Sequence, residues 1–124
     1  MLLDSNIIIY STQPHHDPLR EFIAHNLPSV SAISYVEVLG YHNLSSQDRT
    51  DLEEFFSLVP ILPVTSSILD QAVTLRQIRK MSLGDSLIAA TSLVHQLTIV
   101  THNTKDFSWI AGIKLLDPLT EQQG

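Results

Sequence analysis

Short apolar runs alternate along this chain of 124 residues with longer segments whose apolar residues recur at helical spacing. Runs of that length suit buried strands, and strands that alternate with helices are typical of an α/β domain with a mainly parallel sheet. We therefore predict a single domain over residues 1–124. The strands are predicted at the start of the chain before Asp4, and at Ser29–Ala32, Ile61–Val64, Leu97–Thr101 and Ile113–Leu116.

The helices are predicted between these strands, and proline marks two of their ends. Asp17 and Pro18 are typical of a helix start, with the acid as N-cap and the proline at the first helical position, and Pro28 ends that helix. The predicted helices include Ile7–Tyr10, Asp17–Leu27, Ile33–Asn43, Ser45–Leu58, Ser67–Lys80, Gly84–Gln96 and a short one near Phe107–Ile110. The segment after Asp117 is polar.

Composition excludes several classes of protein. No apolar run approaches the roughly 20 residues that cross a bilayer, and because strand-like sequence begins at Met1 we expect no basic leader. The absence of cysteine excludes disulfides and thiolate-bound zinc, so a reducing, cytoplasmic location is expected. The net charge of −6 excludes a protein that holds nucleic acid by charge alone. Contact with a phosphate backbone would need metal ions or a local basic patch to offset that charge.

Four acidic residues are placed to meet at one edge of the predicted sheet. Asp4 ends the first strand, Asp106 follows Leu97–Thr101 by five residues, and Glu37 and Asp85 are predicted in the first turns of helices. In a parallel sheet, the strand carboxyl ends and the helix N-termini that follow them face the same side. Carboxylate oxygens suit Mg²⁺ or Mn²⁺ better than zinc. The pattern therefore predicts a metal site that contains Asp4.

Helix capping is an alternative explanation for three of these acids. Each lies three residues after a good N-cap residue, the spacing at which a carboxylate only satisfies helix N–H groups. The same spacing joins Ser67 to Asp70, to which we assign no chemistry. The three pairs are Ser34 and Glu37, Ser82 and Asp85, and Asn103 and Asp106. Asp4 is different, because an unpaired charge between a buried strand and an apolar helix is costly.

Other catalytic and metal-binding motifs are missing from the sequence. The six histidines form no pair at the spacing of a zinc site, and His15 and His16 are expected in a solvated loop. No glycine-rich phosphate loop and no G-x-S-x-G nucleophile elbow occurs.

Four sequence blocks together resemble the PIN domain, and more closely the small VapC-type toxins of prokaryotic toxin–antitoxin pairs. The blocks are LLDSNIII, SYVEVLG, LGDSLIAAT and THNTKDF, which occur in the family's order across nearly the whole chain. The resemblance implies a metal-dependent endoribonuclease that uses one or two Mg²⁺ or Mn²⁺ ions. Its acidic quartet falls on Asp4, Glu37, Asp85 and Asp106. The PIN-like fold expected is a three-layer α/β/α sandwich with the strand order 3-2-1-4-5.

The resemblance also implies roles for residues around the quartet. Supporting polar positions fall on Ser5, Asn6, Thr101 and Asn103. Ser5 stands where many relatives have Thr, and His102 stands where many have Arg, which removes a fixed positive charge beside the site. Arg79, Lys80 and Lys105 are near enough in the sequence to contact phosphates of an RNA substrate, although each is equally well explained as a solvated helix end.

Two protein partners are implied as well. The family suggests a cognate antitoxin whose segment lies over the acidic crevice, with an Arg or Lys among the carboxylates. It also suggests a homodimer. The segment Ile33–Leu44 has more large side chains than one core-facing stripe needs, so we expect part of it to form the dimer interface. Those side chains are Tyr35, Val38, Leu39 and Tyr41. The alternative is that all of them fill the core of a small domain.

Two other functions are compatible with the sequence. A receiver-like phosphoacceptor domain is also a small doubly wound fold with acids after its first strand. Here, however, the third strand ends in Pro63-Val64-Thr65 without a phosphorylatable Asp. A non-catalytic PIN-like binding or regulatory partner is the second function. An intact acidic quartet disfavours it, because buried like charges are costly to keep without a use.

Overall fold

Five short strands form the centre of the protein in a computed structural model that describes the backbone of residues 1–121 and the side chains of residues 1–119. All neighbouring strands pair in parallel in the order 3-2-1-4-5, which confirms the expected topology. The first strand is therefore central. The strands are β1 Leu2–Leu3, β2 Ser29–Ser31, β3 Ile61–Leu62, β4 Ile99–Val100 and β5 Leu115–Leu116.

Helices connect and cover these strands. They are α1 Ser5–Tyr10, α2 Asp17–Asn26, α3 Ala32–Leu39, α4 Ser46–Leu58, α5 Ser66–Ile78, α6 Leu83–His95 and α7 Pro118–Glu121, and a 3₁₀ turn spans Thr104–Asp106. The first six agree with the predicted helices to within about four residues at each end, the usual uncertainty of such predictions. No helix within residues 1–121 is long and apolar enough to cross a membrane.

The third helix is shorter than predicted. It ends at Leu39 and not at Asn43. After the C-cap Gly40, the Tyr41 N–H bonds the Val38 carbonyl at 3.2 Å, three residues back and not four. The Gly40 N–H donates to the Val36 carbonyl at 2.9 Å, and a Cβ at Gly40 would lie only 2.6 Å from the same oxygen. A glycine is therefore required at this close approach.

Two other predictions about the helices are wrong. His16 and not Asp17 is the N-cap of α2, and it offers no side-chain hydrogen bond to the helix. The short helix predicted near Phe107–Ile110 is replaced by the 3₁₀ turn that precedes it. For the polar segment after Asp117 no secondary structure was predicted. Its described part forms α7, and the Asp117 carboxylate accepts a hydrogen bond from the Leu119 N–H at 3.0 Å. Residues 122–124 of this segment lie outside the described residues.

The sheet is buried on both faces, which makes the fold a three-layer α/β/α sandwich. Leu2 and Leu3 are both 0% exposed and point to opposite faces, as consecutive strand residues do. Leu3 packs in a core cluster with side chains of α1, α2, α3 and α4. Leu2 packs in a second cluster with side chains of α5 and α6. Fully buried Phe107 joins the second cluster and so anchors the loop after β4 that carries Asp106.

Candidate active site

Polar residues follow three neighbouring strands at the carboxyl edge of the sheet. The last residues of β1, β4 and β5 are aligned in register, and the next residues are Asp4, Thr101 and Asp117. The Asp4 N–H donates to the Val100 carbonyl at 3.0 Å, and the Thr101 N–H donates to the Leu116 carbonyl at 3.0 Å. Because neighbouring strands lie roughly 5 Å apart, these three residues form a row across the edge.

Asp4 is buried at this edge, with only 5% of its surface exposed. The Thr101 hydroxyl donates to Asp4 Oδ2 at 2.8 Å, and it accepts a hydrogen bond from the Asn103 N–H at 3.0 Å. Burial raises the pKa of Asp4 to about 6, although the Thr101 hydrogen bond opposes this rise. The negative charges of Asp85 and Glu37 raise the pKa further. An ionised Asp4 is therefore costly here unless a cation pairs with it.

Glu37 reaches the same edge from α3. The Ser5 hydroxyl donates to Glu37 Oε1 at 2.7 Å, and the hydroxyls of Ser5 and buried Ser34 are hydrogen bonded at 2.9 Å. The other carboxylate oxygen rests against Gly84, where a Cβ would collide with it. Ser5 directly follows Asp4 in the chain, and Gly84 directly precedes the next acid. The Glu37 carboxylate thus lies between Ser5, which follows Asp4 in the chain, and Gly84, which precedes Asp85.

Asp85 and Asp106 complete the group of acids. Asp85 is half-buried in the first turn of α6, where its N–H donates to the Ser82 hydroxyl at 3.1 Å. Burial raises the pKa of Asp85, as do the negative charges of Asp106 and Glu37, and a hydrogen bond with Ser82 opposes the rise. Asp106 is exposed at the end of the 3₁₀ turn. Since Asp85 also raises the pKa of Asp4, it interacts electrostatically with all three other acids.

Helix capping accounts for only one of these acids. Ser82 caps α6 three residues before Asp85, as predicted. Ser31 caps α3 instead of Ser34, so Glu37 lies in the second turn of that helix and not in the predicted first turn. Asn103 gives the 3₁₀ turn no side-chain cap.

The predicted supporting residues differ in how they meet the acids. The hydroxyls of Ser5 and Thr101 bond carboxylate oxygens directly. Asn103 acts through its backbone N–H, and Asn6 is exposed on α1.

Of the three cations predicted to contact RNA phosphates, Arg79 is connected through Trp109 to the loop that carries Asp106. The guanidinium carbon of Arg79 lies 5.3 Å from the centre of the Trp109 ring. The indole N–H of Trp109 donates to the backbone carbonyl of Asp106 at 3.0 Å, which connects Arg79 to the acidic loop. Lys80 and Lys105 are exposed.

Three residues have roles in this site that the sequence analysis does not assign to them. Ser34, considered there only as a helix cap, bonds the Ser5 hydroxyl that holds Glu37. Gly84 leaves room for Glu37, and Trp109 supports the Asp106 loop. A glycine weakens a helix, so its presence in the first turn of α6 needs a reason. Its position directly before Asp85 was therefore a signal in the sequence that Gly84 belongs to the site. No local pattern identifies these roles of Ser34 and Trp109, because their contacts are made by folding.

The donor set suits a hard divalent cation, although it forms no closed cage. Among the described side chains, no three carboxylates or imidazoles converge closely enough to enclose a metal ion by themselves. Mg²⁺ usually keeps several waters and takes one or two carboxylates from a protein, so it does not need such a cage. Carboxylate oxygens grouped around a buried acid of raised pKa are donors of that kind.

A family model and several solved structures match this chain, and these matches agree with one another. Residues 1–113 match the PIN domain family. A chain of a toxin–antitoxin complex from Klebsiella pneumoniae is 28% identical, with a TM-score of 0.76 over 94% of this chain and 96% of that chain. A chain of VapBC-1 from nontypeable Haemophilus influenzae is 25% identical, with a TM-score of 0.77 over 95% and 97%. A chain of DNA-bound VapBC from Salmonella typhimurium shares the fold, with a TM-score of 0.82 at 22% identity over 94% and 96%.

Curated proteins give no significant match. The family match, by contrast, spans β1 to the loop before β5 and includes all four acids of the carboxyl edge. The chain therefore belongs to the PIN domain family.

Proposed function

We propose that this PIN domain is a metal-dependent endoribonuclease that hydrolyses phosphodiester bonds of RNA. The observation that carries the proposal is buried Asp4, whose pKa is raised to about 6 beside Glu37 and Asp85. A carboxylate in such a place is costly unless a cation pairs with it, and a divalent cation is what metal-assisted phosphodiester hydrolysis uses. Membership of the PIN family supports the same activity.

The metal ligands in this proposal are the four acids Asp4, Glu37, Asp85 and Asp106, which would hold one or two Mg²⁺ or Mn²⁺ ions. When bound, the ion supplies a water of lowered pKa and offsets the negative charge that develops at phosphorus. The Thr101 hydroxyl fixes the carboxylate of Asp4, and the Ser5 hydroxyl fixes that of Glu37. Neither carboxylate then has to be ordered when RNA binds. Glu37 also serves to orient the attacking water.

Cations beside the acids would contact the phosphates that flank the scissile bond. We assign this role to Arg79, Lys80 and Lys105. The support for Arg79 is its stacking on Trp109, which is itself bonded to the loop of Asp106. Together with a bound metal, these charges offset the net charge of −6 where RNA approaches.

The two other functions are less well supported. The flavodoxin-like order of receiver domains is 2-1-3-4-5, whereas this sheet has the order 3-2-1-4-5. A non-catalytic binding partner has no need of clustered carboxylates that raise one another's pKa, because such a cluster only reduces stability.

RNA cleavage by the purified chain is expected to stop after treatment with EDTA and to return with Mg²⁺ or Mn²⁺. Gel analysis of an end-labelled RNA measures this directly. Because a ligand of the folded state alone stabilises it, saturating Mn²⁺ should also raise the melting temperature, with about 2.7 kcal/mol expected at 100 times its Kd. Cleavage that persists in excess EDTA, or a melting temperature that ignores both metals, would contradict the metal site.

A cognate antitoxin is the first protein partner that we propose. The similar structure from Klebsiella pneumoniae is a toxin–antitoxin complex, which supports this assignment. A guanidinium or ammonium group of the antitoxin would enter the acidic crevice and offset the same repulsion as a metal. The apolar part of its segment would lie in a groove of about 540 Å³ between α2 and α4, lined by Leu27, Phe55 and Leu58. Asp51, Glu54 and Arg20 also line this groove, and the two carboxylates against one cation favour a basic segment.

A second copy of the chain is the other partner that we propose. Of the side chains predicted for this contact, Val38 is fully buried and Leu39 packs on the core, whereas Tyr35 and Tyr41 are exposed. The proposed surface continues from α3 to the neighbouring helices, where exposed apolar side chains line a groove of about 630 Å³ between α5 and α6. They are Leu69, Val73 and Leu83.

One light-scattering experiment tests both partners. The chain alone at micromolar concentration is expected to give about twice the 13.9 kDa of one copy. After it is mixed with the product of a short reading frame adjacent to its own, a larger complex that no longer cleaves RNA is expected. A strict monomer would contradict the dimer, and an active mixture without a complex would contradict the antitoxin. Neither result would affect the nuclease proposal.

A further inference from the structure

We propose, on the basis of the nuclease function above, that Tyr10, His16 and His102 form a ring ledge on which one nucleobase of the RNA stacks beside the acidic crevice. The name ring ledge refers to these three side chains. They come from the end of α1, the loop before α2 and the residue after Thr101. Aromatic and imidazole rings are the usual stacking partners of unpaired RNA bases.

Tyr10 contacts both other rings of the ledge. Tyr10 and His16 are stacked, with ring centroids 5.9 Å apart and an angle of 26° between their planes. His102 meets Tyr10 edge-on, at 6.5 Å and 73°. His15 extends the group, with its centroid 4.2 Å from that of His16. The solvated loop predicted for the two adjacent histidines is thus part of a ring cluster.

Hydrogen bonds within the protein hold two parts of the ledge. His102 Nδ1 lies 3.0 Å from a carboxylate oxygen of Asp117, yet 47% of the His102 side chain stays exposed. Arg20 donates to the backbone carbonyls of Ser11 at 2.6 Å and Gln13 at 2.8 Å, which holds the loop between α1 and α2. Because these groups are already positioned, a base that stacks on them requires little further ordering.

The ledge adjoins the acids of the sheet edge. Asp4, Thr101 and Asp117 follow neighbouring strands in register, so Asp117 lies roughly 10 Å from Asp4, or two strand spacings. His102 directly follows the residue whose hydroxyl bonds Asp4, and its ring is held by Asp117. A nucleotide next to a phosphate at Asp4 therefore has its base within reach of His102.

The charges around the ledge favour a base over a phosphate as the ligand. The carboxylate of Asp117 would offset the charge of a protonated His102. Arg20 pairs with Asp17 and with two backbone carbonyls, so its guanidinium is already engaged. Without a net positive charge, the attraction that remains is stacking, which every base provides through its π-face.

Binding of a fluorescein-labelled single-stranded RNA, measured by anisotropy, tests the ledge. All proteins carry Asp4→Asn, so that the RNA stays intact. We expect His102→Ala to weaken binding on the order of tenfold, because stacking of a base on a ring typically has that effect. His102→Phe keeps a flat ring without charge and should preserve the affinity, whereas His102→Lys supplies a charge without a ring and should not. In a series of RNAs that each carry one abasic nucleotide at a different position, one member should bind the parent protein more weakly than the others. In the His102→Ala variant, that member should bind as well as the others.

His95→Ala is the matched control, because His95 is an exposed histidine in the last turn of α6, at the opposite end of the sheet. Its affinity should equal that of the parent, and thermal melts should show that all variants are folded. Equal affinities for His102→Ala and His102→Phe, restoration by His102→Lys alone, or a parent that binds no RNA would each overturn the ledge.

Cleavage by the wild type is measured separately, so that the ledge and the nuclease proposal can fail independently. Metal-dependent cleavage with an unaffected His102→Ala variant overturns only the ledge. A tenfold loss of binding in a chain that cleaves nothing overturns only the nuclease.

Discussion

Asp4→Asn is expected to lower metal-dependent RNA cleavage by roughly a thousandfold or more. The substitution keeps the shape of the side chain. It also keeps an oxygen that can accept the hydrogen bond of the Thr101 hydroxyl, which lies 2.8 Å from Asp4 Oδ2 in the wild type. It removes the negative charge at the most enclosed point of the acidic group. Metal-assisted stabilisation of a transition state is worth several kcal/mol, and each 1.36 kcal/mol corresponds to a factor of ten in rate. Single-turnover cleavage of an end-labelled RNA at saturating Mg²⁺ measures the loss.

Asp70→Asn is the matched control for this prediction. Asp70 is exposed in the second turn of α5, a helix capped by Thr65 and not, as the sequence suggested, by Ser67. Asp70 therefore forms no capping box with Ser67, and its replacement should change stability by less than about 0.5 kcal/mol. Cleavage should stay within about twofold of the wild type. Equal losses for the two variants would show that Asp4 has no special role.

Asp4→Asn is also expected to stabilise the metal-free protein, by as much as about 3 kcal/mol at pH 8. The pKa of Asp4 is raised from 3.8 to about 6 in the folded state, so the folded protein binds this proton more tightly than the unfolded chain does. Below pH 3.8 this group gives its full stabilisation, which is lost as the pH rises through 6. Each unit of pKa difference corresponds to 1.36 kcal/mol, which gives the expected upper value. An amide cannot ionise, so the variant avoids this loss.

Urea unfolding in EDTA between pH 4 and pH 8 measures the effect as a difference between the two proteins. The stability advantage of Asp4→Asn should be largest at pH 8 and should shrink steadily as the pH falls toward 4. Ionisable groups remote from Asp4 contribute equally in the two proteins, so their effects cancel in the difference. A pH-independent difference would show that Asp4 is not the titrating group. Mg²⁺ at pH 8 should narrow the gap, because a cation stabilises only the ionised carboxylate of the wild type.

Local sequence determined much of this protein. Alternating apolar runs and amphipathic segments identified all five strands and the six main helices, because buried strands and amphipathic helices leave different periods in a sequence. The strand order followed from the resemblance to the PIN family. The place of Asp4 followed from its position directly after a buried strand, which sets it at the carboxyl edge of the sheet wherever the other elements pack.

Tertiary structure alone decided how the acids are held and what surrounds them. The hydrogen bonds from Ser5 to Glu37 and from Thr101 to Asp4 join residues that are 32 and 97 positions apart. Glu37 and Gly84 are likewise far apart in the chain and in contact in the structure. The ring ledge likewise joins α1, the following loop and the end of β4. A sequence pattern reports what a residue does within its own helix or strand. It carries no signal for partners that meet only when the sheet edge is assembled, because their spacing along the chain has no fixed period.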